Sequence, residues 1–123
     1  MSKASELGKT GEELAGTFLM KRKFRLLHRN WNLYKGYEID IVAQYRGVLH
    51  FVEVKTRTSS DFGGPFAAVD KRKVRHLYGA ILHYLKFYHI DEDDPWVLDI
   101  IGITFSENGT YELEFREDVG SLL

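Results

Sequence analysis

The sequence predicts an α/β domain, a mixed β-sheet with helices packed on it. Three observations predict it. Apolar residues recur at helical spacing in two stretches, one at the start of the chain and one in the middle. Three strand-like runs separated by short turns lie between them. Two more such runs follow the second helical stretch, so helices and strands must pack as layers.

Leu7, Gly11, Leu14, Ala15 and Phe18 form one stripe, which predicts a helix from about Ser5 to Lys23. Thr10-Gly11-Glu12-Glu13 also reads as a capping box that would start the helix near Thr10, but a stripe beginning at Leu7 favours the early start. Phe24 to Leu33 is rich in aromatic and branched residues and reads as a strand, with Tyr34-Lys35-Gly36-Tyr37 as a turn. Glu38 to Tyr45 and Val48 to Thr56 read as a hairpin across Arg46-Gly47. Arginine suits the positive φ of a type I′ turn poorly, so a slightly longer loop is an alternative there. Thr58 to Pro65 is a loop by its Ser, Gly and Pro content.

Val74, Leu77, Tyr78, Ile81, Leu85 and Tyr88 predict a second helix from Val69 to His89, ended by Asp91-Glu92-Asp93-Asp94-Pro95. Trp96 to Phe105 is an apolar strand. Asn108-Gly109 is a hairpin turn signal, and Tyr111 to Glu117 returns with apolar and acidic residues alternating. At 123 residues, all of this is expected to form one domain over 1–123.

Apolar residues make up 44% of the chain, enough to build a core and exclude disorder. The absence of cysteine excludes disulfides and thiolate metal sites and suits a reducing cytoplasmic location. No apolar run approaches the roughly 20 residues of a membrane span, and Met1 to Glu6 lacks the apolar core of a signal peptide, so no membrane partner is expected. Five histidines without ligand spacing argue against zinc. Net charge is −1, yet it is unevenly spread. Residues 1–90 hold 16 Lys and Arg against 8 Asp and Glu, while residues 91–123 hold one Arg against 10 acids. A basic body with an acidic end suits a nucleic-acid binder, although two solvated faces explain the charge alone equally simply.

The hairpin carries the chemistry. A two-residue turn at Arg46-Gly47 pairs positions that sum to 93, which sets Asp40 opposite Glu53 and Glu38 opposite Lys55. Two acids facing each other need a proton, a cation or a metal between them. Ile39, Ile41, Val52 and Val54 around them are apolar, so these charges stand in strands that otherwise read as buried. Read from the residues alone, a metal site with a lysine and an ordinary Glu38–Lys55 ion pair on a solvated face remain equally open.

Asp40 followed by Glu53-Val54-Lys55 resembles the PD-(D/E)XK nuclease motif. The wider pattern resembles the YraN-like family of bacterial proteins, which is regarded as distantly related to archaeal Holliday junction resolvases. The matching stretches are 8–15, Asn30-Trp31, Glu38 to Ala43, Phe51 to Arg57, Phe62-Gly63, Ala68-Val69-Asp70 with Lys73, and Asp99. Two positions depart from the pattern: Tyr37 intervenes between Gly36 and Glu38, and Val97 stands where the family tends to have arginine.

The resemblance implies a restriction-endonuclease-like fold and roles for individual residues. Asp40, Glu53 and the Val54 carbonyl would hold Mg2+ or Mn2+, Lys55 would be the catalytic lysine, and Glu12 would reach the metal or its water. Lys73, near the start of the second helix, also fits the family motif; from the crowding of cations at that helix start, and from its place after the motif, Lys73 foremost with Arg72 and Arg75, and Arg57, are expected to hold phosphates. The expected function is hydrolysis of DNA phosphodiester bonds, on branched or structured DNA as the resolvase kinship implies, with a homodimer suited to junctions. The alternative is a nucleic-acid-binding module that keeps the fold without turnover.

Overall fold

The structure, a computed structural model, describes residues 3–33, 36–59, 63–67 and 69–119. Among these residues, two helices and five strands follow in the order α1 (Lys3–Lys21), β1 (Arg25–Asn32), β2 (Glu38–Tyr45), β3 (Val48–Thr58), α2 (Lys71–Phe87), β4 (Trp96–Phe105) and β5 (Tyr111–Arg116). The strands form one sheet in the order β1-β2-β3-β4-β5. β3 and β4 run parallel, and the other neighbours are antiparallel. A parallel pair needs a crossover, and α2 supplies it. No described helix is long and apolar enough to cross a membrane.

α1 and α2 cover opposite faces of the sheet. Ala15 and Leu19 of α1 pack with Ile41, Ala43, Val52, Ile101 and Ile103. Val74, Leu77, Ile81, Tyr84 and Leu85 of α2 pack with Val42, Phe51, Leu98 and Ile100. With both faces covered, β4 reads as a nearly unbroken apolar run and not as an alternating one.

α1 takes the early start. It stops where Lys23 turns to φ 73° and the Phe24 N–H reaches back to the Leu19 carbonyl at 3.0 Å. α2 begins two residues later than the periodicity suggests, because the Asp70 side chain caps it by accepting from the Lys73 N–H at 2.9 Å. It ends like α1, with His89 at φ 55° and the Ile90 N–H bonded to the Leu85 carbonyl. Tyr34 and Lys35 of the expected turn, Phe62 of the loop and Ala68 lie outside the described residues.

The longer alternative at Arg46-Gly47 is corrected: Tyr45 pairs with Val48, and Arg46 takes φ 49° and Gly47 φ 80°. The right-handed twist of the two strands favours such a turn strongly enough to place arginine in the left-handed region. The Asn108-Gly109 turn closes a five-residue loop, with Phe105 paired to Tyr111. There the Gly109 N–H bonds the Ser106 carbonyl and Gly109 alone takes positive φ, as a bulged hairpin requires.

The register of β2 on β3 follows the sum of 93, but only from Tyr45↔Val48 to Ile41↔Val52. Beyond that rung β2 leaves β3, so the expected Glu38–Lys55 cross-strand pair does not form. The side-chain alternation of β2 breaks at the same place, with Ile41 packing towards α1 and Ile39 towards α2. β1 makes the matching change beside it. Arg29 pairs with Ile41, Trp31 pairs with Ile39, and Asn30 between them sits at φ 51°.

α1 lies close to the sheet because Gly11 has no side chain. A Cβ there would come within 2.1 Å of the Thr56 methyl carbon on β3. Gly11→Ala gains helix propensity of about 1 kcal/mol but forces this contact apart, so a net loss of about 1–2 kcal/mol is expected in urea unfolding. Adding Thr56→Ser, which removes the offending methyl, is expected to recover most of that loss; a variant as stable as wild type without it contradicts the account.

Candidate functional site

Where β2 departs from β3, the Val54 N–H loses its backbone partner. The carboxylate of Asp40 replaces it, with Oδ2 accepting from Val54 N at 2.8 Å. A strand residue points its N–H and C=O to the same edge. The Val54 carbonyl therefore faces the same opening. Glu53 is buried to 6% exposure on the face covered by α2, and its carboxylate hydrogen-bonds with that of Asp40. Lys73 of α2 comes down on it, with Nζ 3.3 Å from Glu53 Oε2.

α1 reaches the same acids from the other face. The carboxylate of Glu12, next to Gly11, hydrogen-bonds with Asn30 and with Asp40. The left-handed turn at Asn30 that redirects β1 thus also places its amide on Glu12. Three carboxylates from three elements converge.

Burial pushes Asp40 up to about 9, and the hydrogen bond to Glu53 and its charge push the same way, against the Val54 N–H. Glu12 is raised as well, mainly by burial with the Glu53 charge adding to it, while Asn30, Asp40 and Arg29 oppose the rise. The direction favours the protonated form of Asp40.

The site opens into a cavity of about 420 Å³, lined by the acids Glu12, Glu38, Asp40 and Glu53 and by Lys55, Lys73 and His76. Lys55 makes no ion pair among the described residues. His76 donates from its Nε2 to the Gly36 carbonyl and stacks on Tyr37 with the rings 10° from parallel. Among the described residues, no three acid or imidazole side chains stand close enough to cage an ion unaided. Magnesium does not need a cage, since it takes one or two carboxylates and keeps several waters. Asp40, Glu53 and the Val54 carbonyl form an all-oxygen donor set of that kind.

Of the residues singled out in the sequence, Glu12, Asp40, Glu53, Val54, Lys55 and Lys73 line this one cavity. Arg72 and Arg75 are exposed and lie outside its lining, a helix rotation away from Lys73 and His76. Arg57 also lies outside it and turns its guanidinium to the Thr56 carbonyl at 2.9 Å. Asn30 lay in a matching stretch but was given no role, and His76 was not among the expected phosphate contacts.

A buried pair, His50 and Asp99, was also missed. His50 Nδ1 lies 2.5 Å from Asp99 Oδ2, and Asp99 Oδ1 accepts from the Asp118 N–H at 2.9 Å. Their signal was a polar residue inside each of two apolar runs, Leu49-His50-Phe51 and Leu98-Asp99-Ile100.

Residues 11–103 match the model of the uncharacterised protein family UPF0102. A UPF0102 protein of Flavobacterium johnsoniae is 43% identical over 84% of this chain and 85% of its own length. One from Phocaeicola vulgatus is 37% identical over 96% of this chain and 94% of its own. A third, from Bacteroides thetaiotaomicron, is 39% identical over 93% and 91%.

The raised Asp40 has a consequence for stability. Its folded value lies above the unfolded one, so between about pH 4 and pH 9 the folded state binds the extra proton and its stability falls as pH rises. Asn mimics the protonated acid, keeping an acceptor for Val54 and a donor for Glu53. In metal-free buffer, Asp40→Asn is expected to melt higher than wild type by a margin that widens by about 4 °C or more between pH 5 and pH 8. A margin constant across that range contradicts the assignment.

Proposed function

The chain belongs to the uncharacterised protein family UPF0102, and we propose that it is a metal-dependent endonuclease of the PD-(D/E)XK type, hydrolysing phosphodiester bonds of DNA. The observation that carries this reading is the convergence of Asp40, Glu53, the open Val54 carbonyl and Lys55 on one cavity. The mixed sheet with a helix on each face fits the restriction-endonuclease-like fold that the motif implies. The resemblance to junction resolvases alone points to branched or structured DNA as the substrate, on which a homodimer would act.

Asp40, Glu53 and the Val54 carbonyl would hold Mg2+ or Mn2+. Bound there, the ion would polarise a phosphoryl oxygen and lower the pKa of its water. The chain's own groups do the rest. For that, Asp40 would release its proton to solvent and Glu53 would part from Lys73, leaving the Lys73 ammonium for a phosphate of the substrate. Lys55, unpaired among the described residues, orients the attacking water and offsets the charge that builds on the phosphorus oxygens. Glu12 stands on the far side of Asp40, held by Asn30, where it can accept a hydrogen bond from that water.

The Lys73–Glu53 ion pair supports a second reading, since it neutralises the site without a metal. In that reading the chain is a nucleic-acid-binding module without turnover.

Single-stranded, duplex, flap and four-way DNA, incubated with Mn2+ or with chelator, separate the two. Cleavage that needs the metal is expected, with Lys55→Ala slowing it by roughly 100- to 1,000-fold and Asp40→Asn or Glu53→Gln by at least as much. Binding without cleavage favours the second reading, and cleavage indifferent to Asp40→Asn and Glu53→Gln overturns the first.

A further inference from the structure

A second cavity touches the acid cluster from the α1 side. It measures about 150 Å³ and shares Glu12 and Asp40 with the main one; Lys9, Glu13, Arg29 and Asn30 complete its polar lining. The acids are therefore reachable from both faces of the fork. Lys55, Lys73 and His76 stand on one side, and Lys9 and Arg29 stand on the other.

Arg29 is the more informative of the two cations. Its guanidinium lies across Gly16 of α1, so close that a Cβ there would sit 2.5 Å from one terminal nitrogen and 2.9 Å from the central carbon. Its charge also acts on Glu12. The planar donor group thus packs on the bare backbone of Gly16 at the rim of the site. Such a group binds phosphate through two parallel hydrogen bonds, whereas Lys9 offers a point charge beside the opposing Glu13.

We infer that Arg29, seated on Gly16, binds the phosphate next to the one being attacked, so that a continuous polynucleotide strand crosses the fork from the Lys73 side to the Arg29 side. This rests on the reading of the fork as a nucleic-acid site. It adds a substrate contact and an orientation of the strand, and it makes the substrate an internal linkage instead of a chain end.

The test is equilibrium binding of a fluorescent DNA oligonucleotide in Ca2+, over a salt series, with one neutral methylphosphonate linkage moved along the strand. Arg29→Ala is expected to bind roughly tenfold more weakly at low salt, with the salt slope reduced by about one contact. It should also become indifferent to the neutral linkage at one position where wild type is sensitive. Gly16→Ala, which favours the helix, should shift that same position while keeping the charge, and Arg29→Lys should restore the slope.

An unchanged slope and linkage profile in Arg29→Ala overturns the assignment, even if the protein cleaves DNA. The expected pattern, with no cleavage of the same oligonucleotide in Mn2+, keeps Arg29 as a phosphate contact but overturns the nuclease reading and, with it, the placement beside an attacked phosphate. A wild-type protein with no salt-dependent DNA binding overturns both.

Discussion

One backbone hydrogen bond governs the rest of the structure. A buried N–H must have a partner, and in a sheet that partner is normally the next strand. At Val54 it is the side chain of Asp40. Because the carboxylate satisfies the N–H, β2 can turn away from β3 one rung early without leaving an orphaned donor. The departure sends Ile39 to the α2 core, draws Asn30 of β1 into the left-handed region and exposes the edge of β3. The acid at the centre of the site is also the group that makes room for it.

The two helices are fixed by contacts that also aim their side chains at this opening. Gly11 lets α1 settle on Thr56, and the next residue is Glu12. On the other face, Gly102 of β4 is the register partner of Lys55, and its bare backbone is covered by Phe66 and Pro65, whose carbons lie 2.7–2.9 Å from where a Cβ would be. That contact draws the connection from β3 down onto the sheet just before α2 starts. Asp70 then caps α2 on the backbone of Lys73, the residue whose side chain meets Glu53. Two close approaches at glycine, Gly11 of α1 on Thr56 and Phe66 and Pro65 on Gly102 of the sheet, thus accompany an acid from one face and a cation from the other.

The hydrophobic periods gave the elements, their order and the turn between β2 and β3, because each strand and helix buries a face that its spacing records. Element ends were less visible. Lys23 and His89 end their helices in a conformation that glycine would have advertised, and the cap at Asp70 competed with an apolar residue just before it. The pairing sum of 93 expects Asp40 directly opposite Glu53; the ladder stops one rung short of that pair, and the two acids meet through their side chains. The sum failed for Glu38 and Lys55 because the break is caused by a side-chain bond, which no alternation pattern encodes. Glu12 came only through the family resemblance, as nothing in α1's own stripe directs an acid to the sheet. Asn30 and Arg29 owe their positions to a strand that changes face, and they were illegible for the same reason.

β3 carries buried polar groups at two levels, and they differ in kind. Around His50 every group is satisfied: the ring bonds Asp99, and Asp99 takes the Asp118 N–H with its other oxygen, which ties the end of the chain to the sheet. Such a closed network serves the fold. Three residues further along, the acids Glu12, Asp40 and Glu53 are held together; burial and their mutual repulsion raise Asp40 and Glu12, against Asn30, Arg29 and the Val54 N–H, and Lys73 reaches Glu53 from α2. Well-packed apolar side chains of similar size would stabilise that stretch at least as well. Beyond the one Asp40 oxygen that satisfies the Val54 N–H, the fold therefore does not need these acids. What they supply, and apolar residues would not, is a set of oxygens with no internal cation sufficient to complete it, open to solvent on both faces of the sheet.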